Sequence, residues 1–312
     1  MLDIFLKTLP FFGLIGVGYG AAKSKFFPEE ATAYITKFVF YFALSAMLVR
    51  FSANLSFSEI FDARLAAAYL WGTAFAYAIA MMWAFWRGLD VPTASIEAQC
   101  AAIGNTGFLG VPMLALLLGQ EAVGPIILIL SIDLIVFSSM LTILITASRE
   151  GTITPRIFKT VLIGLAKNPM IASIAVGLTV SGLGLPVPET VNSFLTLLGN
   201  AATPGALFAI GASLASKSAE RLEIAAWLSF AKLILHPGFV ALGVYVFFPV
   251  DAYRAAVMVS AASLPVAGNV FILAQHYGVA PQRVSASILI STAASIVTVS
   301  MIIAAVTAPL SL

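Results

Sequence analysis

Ten long apolar stretches joined by short polar connections restrict the fold of this chain more than any other feature. A helix that crosses a bilayer needs about 20 mostly apolar residues. We predict spans at 4–22, 31–51, 64–86, 93–118, 123–147, 160–182, 189–214, 222–248, 253–277 and 283–309. Only 10% of the 312 residues are charged, whereas soluble domains carry about 25%. Because so apolar a surface is stable only in lipid, we predict an all-α integral membrane protein of ten transmembrane helices.

Cations in the connections indicate the orientation of the chain. Successive connections lie on alternate sides, and one side carries ten cations against four on the other. The first group is Lys23, Lys25, Arg87, Arg149, Arg156, Lys159, Lys167, Lys217, Arg221 and Arg283, and the second is Lys7, Arg50, Arg64 and Arg254. The positive-inside rule places the first group in the cytoplasm and both termini outside. Lys37 and Arg50, near the ends of the second span, are interpreted as snorkelling to the lipid headgroups.

Residues 1–154 and 155–312 resemble each other weakly. Pro10 and Pro169 are offset by 159 residues, and Gly104-Asn105 and Gly268-Asn269 by 164. Each half holds five spans, an odd number, so the second half is predicted to be inverted relative to the first. Inverted repeats with interrupted helices are typical of secondary transporters.

The fourth and ninth spans contain residues that interrupt a helix. Gly104 begins a glycine-rich segment that ends at Pro112, and the segment Pro265–Asn269 lies at the equivalent place in the second half. Each glycine costs a helix up to about 1 kcal/mol and each proline about 3 kcal/mol relative to alanine. Freed N–H groups and helix N-termini favour anions, and Asn105 and Asn269 add polar side chains there. The alternative is a pair of kinks used only for packing.

The residues from Gly104 to Met113 and from Leu264 to Ala274, followed by Tyr277-Gly278-Val279, resemble motifs of the auxin efflux carrier family, which includes bacterial malonate-type carriers. The resemblance implies the inner membrane of a bacterium and a sodium/proton-antiporter-like architecture, with the fourth and ninth spans crossed as an X. It implies a scaffold of spans 1, 2, 6 and 7 and a moving transport domain of spans 3–5 and 8–10. It also implies that Asn105 and Asn269 line a substrate site at the crossing.

Two charged residues lie near the predicted bilayer midplane, Asp133 in the fifth span and Lys232 in the eighth. Charges at that depth are costly and usually line a pathway or form pairs. By analogy with sodium/proton antiporters, we expect Asp133 to bind a coupling proton or sodium ion and Lys232 to attract an anion. The alternative is a purely structural ion pair. His236, four residues after Lys232, fits a packing role and a site role equally well.

The function expected from these features is transport of a small organic anion, a malonate- or auxin-like carboxylate, by alternating access. The predicted substrate-binding residues are Asn105, Asn269, Gly104, Gly268, Pro265, Pro112 and Lys232. The alternatives are a cation/proton antiporter that uses Asp133, a channel, or an intramembrane enzyme. An enzyme would need a histidine cluster, a paired-aspartate site or a metal motif, none of which the sequence offers, so we expect neither catalysis nor a cofactor or metal. The net charge of +2 gives no reason to expect nucleic acid, and the single cysteine, Cys100, excludes an internal disulfide.

A homodimer is expected, with contacts made mainly by the second and seventh spans. Part of the reason is the family resemblance. The other part is an apolar surface of the second span, formed by Phe38, Phe40, Tyr41, Phe42 and Leu44, for which we expect no role at the crossing.

Overall fold

A computed structural model describes residues 2–152, 154–215 and 222–310. Lys217 and Arg221, two of the cations counted above, lie outside the described residues. The described part of the chain is helical and forms no sheet, and its one isolated β-bridge joins Gly104 to Val266. The all-α prediction is therefore confirmed for these residues.

The helices follow one another along the chain with short connections. They are α1 Leu2–Lys23, α2 Glu29–Ala53, α3 Phe57–Ile60, α4 Ala63–Trp86, α5 Val91–Ala102, α6 Thr106–Leu118, α7 Gln120–Glu150, α8 Pro155–Lys167, α9 Pro169–Gly182, α10 Glu189–Ala215, α11 Leu222–Phe247, α12 Ala252–Ala262, α13 Gly268–Tyr277 and α14 Pro281–Thr307. Among the described residues, seven helices are long and apolar enough to cross a membrane: α1, α2, α4, α7, α10, α11 and α14. The bent pair α8 and α9 makes an eighth candidate.

The predicted sixth span, 160–182, is not one straight helix. It divides between α8 and α9, which meet at an angle of 69°. The cause is local: Asn168 Oδ1 accepts a hydrogen bond from the backbone N–H of Met170 at 2.9 Å, and Pro169 occupies the first turn of α9. An asparagine cap followed by proline starts a new helix, because proline has no N–H to continue the old one.

Two further apolar segments are divided at the glycine- and proline-rich motifs. The helix α5 ends at Ala102 and α6 begins at Thr106, while α12 ends at Ala262 and α13 begins at Gly268. Asn105 has a non-helical backbone, with φ −76° and ψ 53°, and Ala267 is extended, with φ −71° and ψ 137°. Each half is therefore too short to cross a bilayer alone.

The helices pack in two groups. In the first, α1 packs along α10, and α2 packs against α9 and α10. In the second, α4 packs against α5 and α11, and α14 against α11 and α12. The two interruptions lie where these groups meet, so both groups border the site described below.

The apolar surface predicted on α2 is only partly present. Phe38, Tyr41 and Phe42 are exposed, but Leu44 is buried and Phe40 stacks on Phe108 of α6 with ring centroids 6.1 Å apart. Phe40 therefore packs near the crossing, because Phe108 lies three residues after Asn105, and the exposed part of the surface consists of Phe38, Tyr41 and Phe42.

Candidate functional site

The two interrupted helices pair with each other through their backbones. The N–H of Asn105 donates to the carbonyl oxygen of Pro265 at 2.8 Å, and the N–H of Ala267 donates to that of Ile103 at 3.1 Å. Buried backbone groups that leave a helix need other partners, and each interruption supplies them to the other. The segments 103–105 and 265–267 therefore form one joint unit, which we call the crossing.

A cavity of about 720 Å³ extends from the crossing to the connection between α1 and α2. At its inner end it contacts Asn105, Phe108, Gly268 and Asn269, and near the α1–α2 connection it contacts Lys25. Its walls come from α2, α10, α13 and α14, thus from both packing groups. The volume lies within the range of small-molecule sites, about 300–1,000 Å³.

The side chains of the two asparagines are available to a ligand in this cavity. Asn105 is 5% exposed and makes no capping hydrogen bond to the helix that follows it. Asn269 is half-buried, and its Oδ1 atom is buried without a hydrogen-bond partner within the described residues. Because leaving a buried polar atom unpaired costs about 1–3 kcal/mol, a water or ligand group that donates a hydrogen bond to this oxygen would be stabilised there.

Other predicted site residues surround the crossing in different ways. Gly268 lines the large cavity, and Pro265 accepts the hydrogen bond from Asn105. Pro112 stands in the first turn of the α-helical part of α6, directly after the π-helical segment Thr106–Gly110. Gly104 allows a close approach: a Cβ atom there would lie 3.2 Å from both Cε and Nζ of Lys232.

Lys232 is fully buried beside the crossing. Two cavities contact the crossing, and in the described structure Lys232 lines neither of them. Its Nζ atom lies 2.5 Å from the carbonyl oxygen of Ala262 and 3.1 Å from Nδ1 of His236. The Nε2 atom of His236 lies 3.0 Å from the hydroxyl of Thr73 on α4. Lys232 thus contacts the end of α12 from the side of the crossing where Gly104 lies.

Asp133 also lies beside the crossing and is 2% exposed. Its Oδ1 atom accepts a hydrogen bond from the hydroxyl of Tyr69 at 2.8 Å, while Oδ2 has no partner within the described residues. Asp133 lines a second, small cavity of about 20 Å³ together with Asn105 and Asn269. A polar space of that size holds about one water molecule.

Asp133 and Lys232 form no direct ion pair in the described structure. They are connected instead through side chains of α4 and α11. Tyr69, which binds Asp133, packs edge-on against the ring of His236, with centroids 5.9 Å apart, and His236 contacts Lys232. The sequence did not reveal Tyr69 or Thr73, because single polar atoms on an otherwise apolar helix give no periodic pattern.

A second buried charge cluster holds α5 in place. Glu97 of α5 is fully buried and forms salt bridges with Arg87, after α4, and Arg283, at the start of α14. The Arg283 contact measures 2.6 Å. Three helix segments are thereby joined at one end of the second packing group.

No group of three or more His, Cys, Asp or Glu residues in the described chain has a metal-binding arrangement.

Comparisons with known proteins agree on one family. Residues 3–303 match a family described as membrane transport protein. The chain is 31% identical over 306 residues to a Rhizobium meliloti (strain 1021) protein named "Putative malonate transporter", with 96% of this chain and 94% of that protein covered. It is 25% identical over 308 residues to "Uncharacterized transporter YfdV" of Escherichia coli (strain K12), with 96% of each covered. Because the family match spans nearly the whole sequence and the first relative covers it at this identity, the chain is a multi-pass membrane protein that belongs to the membrane transport protein family, the family of the auxin efflux carriers.

Proposed function

We propose that this protein is a secondary transporter that moves a small organic anion, a carboxylate of the malonate or auxin type, by alternating access. The observation that carries the proposal is the large cavity that ends on Asn105 and Asn269, one asparagine from each interruption. A relative named for malonate supports the choice of a small dicarboxylate as the first substrate to test.

The proposed layout has ten spans. The seven long helices, the bent pair α8 and α9, and the two interrupted pairs, α5 with α6 and α12 with α13, add up to that number. Residues 1–154 and 155–312 would be inverted repeats, which is supported by the equivalent places of the two interruptions. With both termini outside a bacterial inner membrane, the large cavity would be open to the cytoplasm, since Lys25 lies at its outer end.

The proposed moving parts extend the two packing groups to the remaining helices. The scaffold would be α1, α2, α8, α9 and α10, and the transport domain α4 to α7 and α11 to α14. Asn105 and Asn269 would belong to the transport domain, whereas Lys25 and Lys37 face the same cavity from the scaffold side. Movement of one group against the other would carry the asparagines from one side of the membrane to the other. Scaffold contacts would also form the homodimer, which mass measurement in nanodiscs tests.

Asp133 is the proposed coupling residue. A carboxyl group whose Oδ2 atom faces a one-water space beside the substrate asparagines can bind a proton or a sodium ion there. Binding of that ion and of an anion would then favour each other, because each changes the charge that the other meets. The same observation supports a second candidate function, a cation/proton antiporter that uses Asp133 alone.

Transport by the purified protein in proteoliposomes separates these functions. We expect uptake of radiolabelled malonate into vesicles preloaded with malonate. An imposed proton or sodium gradient should stimulate this uptake in the parent protein but not in Asp133→Asn. The antiporter would be favoured if malonate uptake is no faster than in protein-free vesicles and a cation gradient alone drives proton movement. A thermal-shift screen of carboxylates, in which a ligand of the folded state raises the melting temperature, selects substrates beyond malonate.

A further inference from the structure

A separate cavity of about 270 Å³ lies at the opposite end of α2 from the large cavity. It is formed where α2 ends, where α7 begins and where α10 begins, and Arg50, Asn54, Gln120 and Asn192 line it. Two of these elements, α2 and α10, also wall the large cavity. The smaller cavity, which we call the Arg50 pocket, therefore borders α2 and α10 at their ends away from the large cavity.

Arg50 is the only charged residue that lines the pocket in the described structure. Its Nη1 atom donates to the hydroxyl of Thr196 on α10 at 2.8 Å, and it forms no salt bridge with any described carboxylate. The side chain is half-buried. A guanidinium group has five N–H donors in a fixed fork that suits a carboxylate, so most of its donors remain for a ligand.

The rest of the lining is uncharged and combines three polar side chains, Asn54, Gln120 and Asn192, with three apolar ones, Phe51, Leu55 and Val123. The Oδ1 atom of Asn192 is buried and has no hydrogen-bond partner among the described residues. Rotation of this amide by half a turn would offer its NH₂ group instead, since O and N occupy nearly the same positions. Asn54 binds the carbonyl oxygen of Arg50 at 2.6 Å and so stiffens the end of α2 beside the guanidinium.

Lys37 and Arg50 each line one of the two cavities. Both belong to α2, and a separation of 13 residues places them roughly 20 Å apart along the helix. Lys37 lines the large cavity and Arg50 lines the pocket at the other end. Each cation therefore lines a cavity between helices, whichever way its end group reaches toward the lipid headgroups.

We infer that the Arg50 pocket is a second anion site, which receives small carboxylates from the side of the membrane opposite the large cavity. The helix α2 then supplies one cation to each end of the pathway, and the crossing lies between them. The identity of the anion rests on the proposed function, whereas the preference of the pocket for negative charge does not.

Thiol labelling in proteoliposomes tests the charge preference without a known substrate. Asn54→Cys places a thiol in the pocket, and the native Cys100 is fully buried, so the parent protein measures background labelling. We expect a negatively charged methanethiosulfonate reagent to react faster than a positively charged one of similar size. Adding Arg50→Gln should lower the ratio of the two rates about tenfold, because a unit charge acts on each reagent at short range.

Two further variants serve as controls. Arg50→Lys keeps the charge and should keep the ratio, while Arg64→Gln removes an exposed cation that does not line the pocket and should leave the ratio unchanged. An equal ratio in Arg50→Gln and in its parent, with both proteins folded by thermal unfolding, would overturn the inference. If malonate is transported and the ratio is unchanged, only the pocket is excluded. If the ratio depends on Arg50 in a protein that does not transport malonate, the pocket is supported and the proposed substrate class is not.

Discussion

The Nζ atom of Lys232 lies 2.5 Å from the carbonyl oxygen of Ala262, the last residue of α12 before the interruption. In a continuous helix that oxygen would accept a hydrogen bond from the N–H of Val266. Here Val266 donates to the hydroxyl of Ser291 at 3.1 Å, so the lysine takes the place of the missing donor. A cation at a helix C-terminus is also stabilised by the partial negative charge of the last carbonyl groups.

Replacing Lys232 with methionine should destabilise the protein. Methionine fills a similar volume but leaves the Ala262 oxygen without its donor, which costs about 1–3 kcal/mol of unfolding free energy. Thermal unfolding of the purified protein measures the change. Lys23→Met, at the exposed end of α1, is the matched control and should unfold like the parent. Equal stability of both variants would show that Lys232 does not hold the end of α12.

Tyr69 and Asp133 should be energetically coupled. Tyr69→Phe removes the donor to Oδ1, and Asp133→Asn changes the acceptor, so the double variant should lose less than the two single variants together. Contacting residues typically show coupling energies of about 0.5–3 kcal/mol. Tyr77→Phe provides the comparison, because its hydroxyl donates to the carbonyl oxygen of Ser95 at 3.1 Å instead. If Tyr69→Phe and Tyr77→Phe are equally additive with Asp133→Asn, the Tyr69 hydroxyl does not hold the carboxylate.

Glu97→Gln should be strongly destabilising. The change removes the carboxylate that Arg87 and Arg283 share in a buried site, and breaking one partner of a buried ion pair typically costs about 3–5 kcal/mol. Glu223→Gln alters an exposed glutamate on α11 and should leave the unfolding temperature unchanged. Our account of the cluster fails if the two variants unfold at the same temperature.

Gly18 and Gly16 offer a matched pair on α1. A Cβ atom on Gly18 would lie 2.1 Å from the backbone oxygen of Phe208, so Gly18→Ala must push α1 and α10 apart. Overpacking of this kind costs about 1–3 kcal/mol. A Cβ atom on Gly16 would meet nothing within 4 Å, so Gly16→Ala should stabilise the helix by about 0.5–1 kcal/mol. Thermal unfolding in the same detergent should move in opposite directions for the two variants.

Features that depend on local backbone chemistry could be predicted from the sequence. The interruptions fall at Gly104-Asn105 and between Pro265 and Asn269, where glycine and proline stand close together and destabilise a helix interior. The bend before α9 was missed although the sequence contains its signal, Asn168-Pro169. Such a pair normally indicates the start of a helix, but the long apolar stretches on both sides favoured the interpretation of one continuous span.

Features that depend on distant contacts could not be predicted in the same way. Tyr69 binds Asp133 across 64 positions of sequence, and nothing in the apolar sequence around Tyr69 marks it. Lys37 and Arg50 have the positions expected of snorkelling residues, and only the packing of α2 against its neighbours shows that each faces a cavity. That Lys232 faces the protein interior was predictable, whereas its hydrogen bond to Ala262 depends on how the two interruptions pack.

Isothermal calorimetry of malonate binding to Asn105→Ala and Asn269→Ala tests the central claim, that the substrate binds at the crossing. Each variant removes a hydrogen bond to a charged group, worth about 1.5–3 kcal/mol, which weakens binding roughly ten- to a hundredfold. Asn200→Ala changes an exposed asparagine of α10 that does not line the large cavity and should bind malonate like the parent. Parent-like affinity in both crossing variants, with the proteins still folded, would contradict the account and leave the interruptions as features of packing.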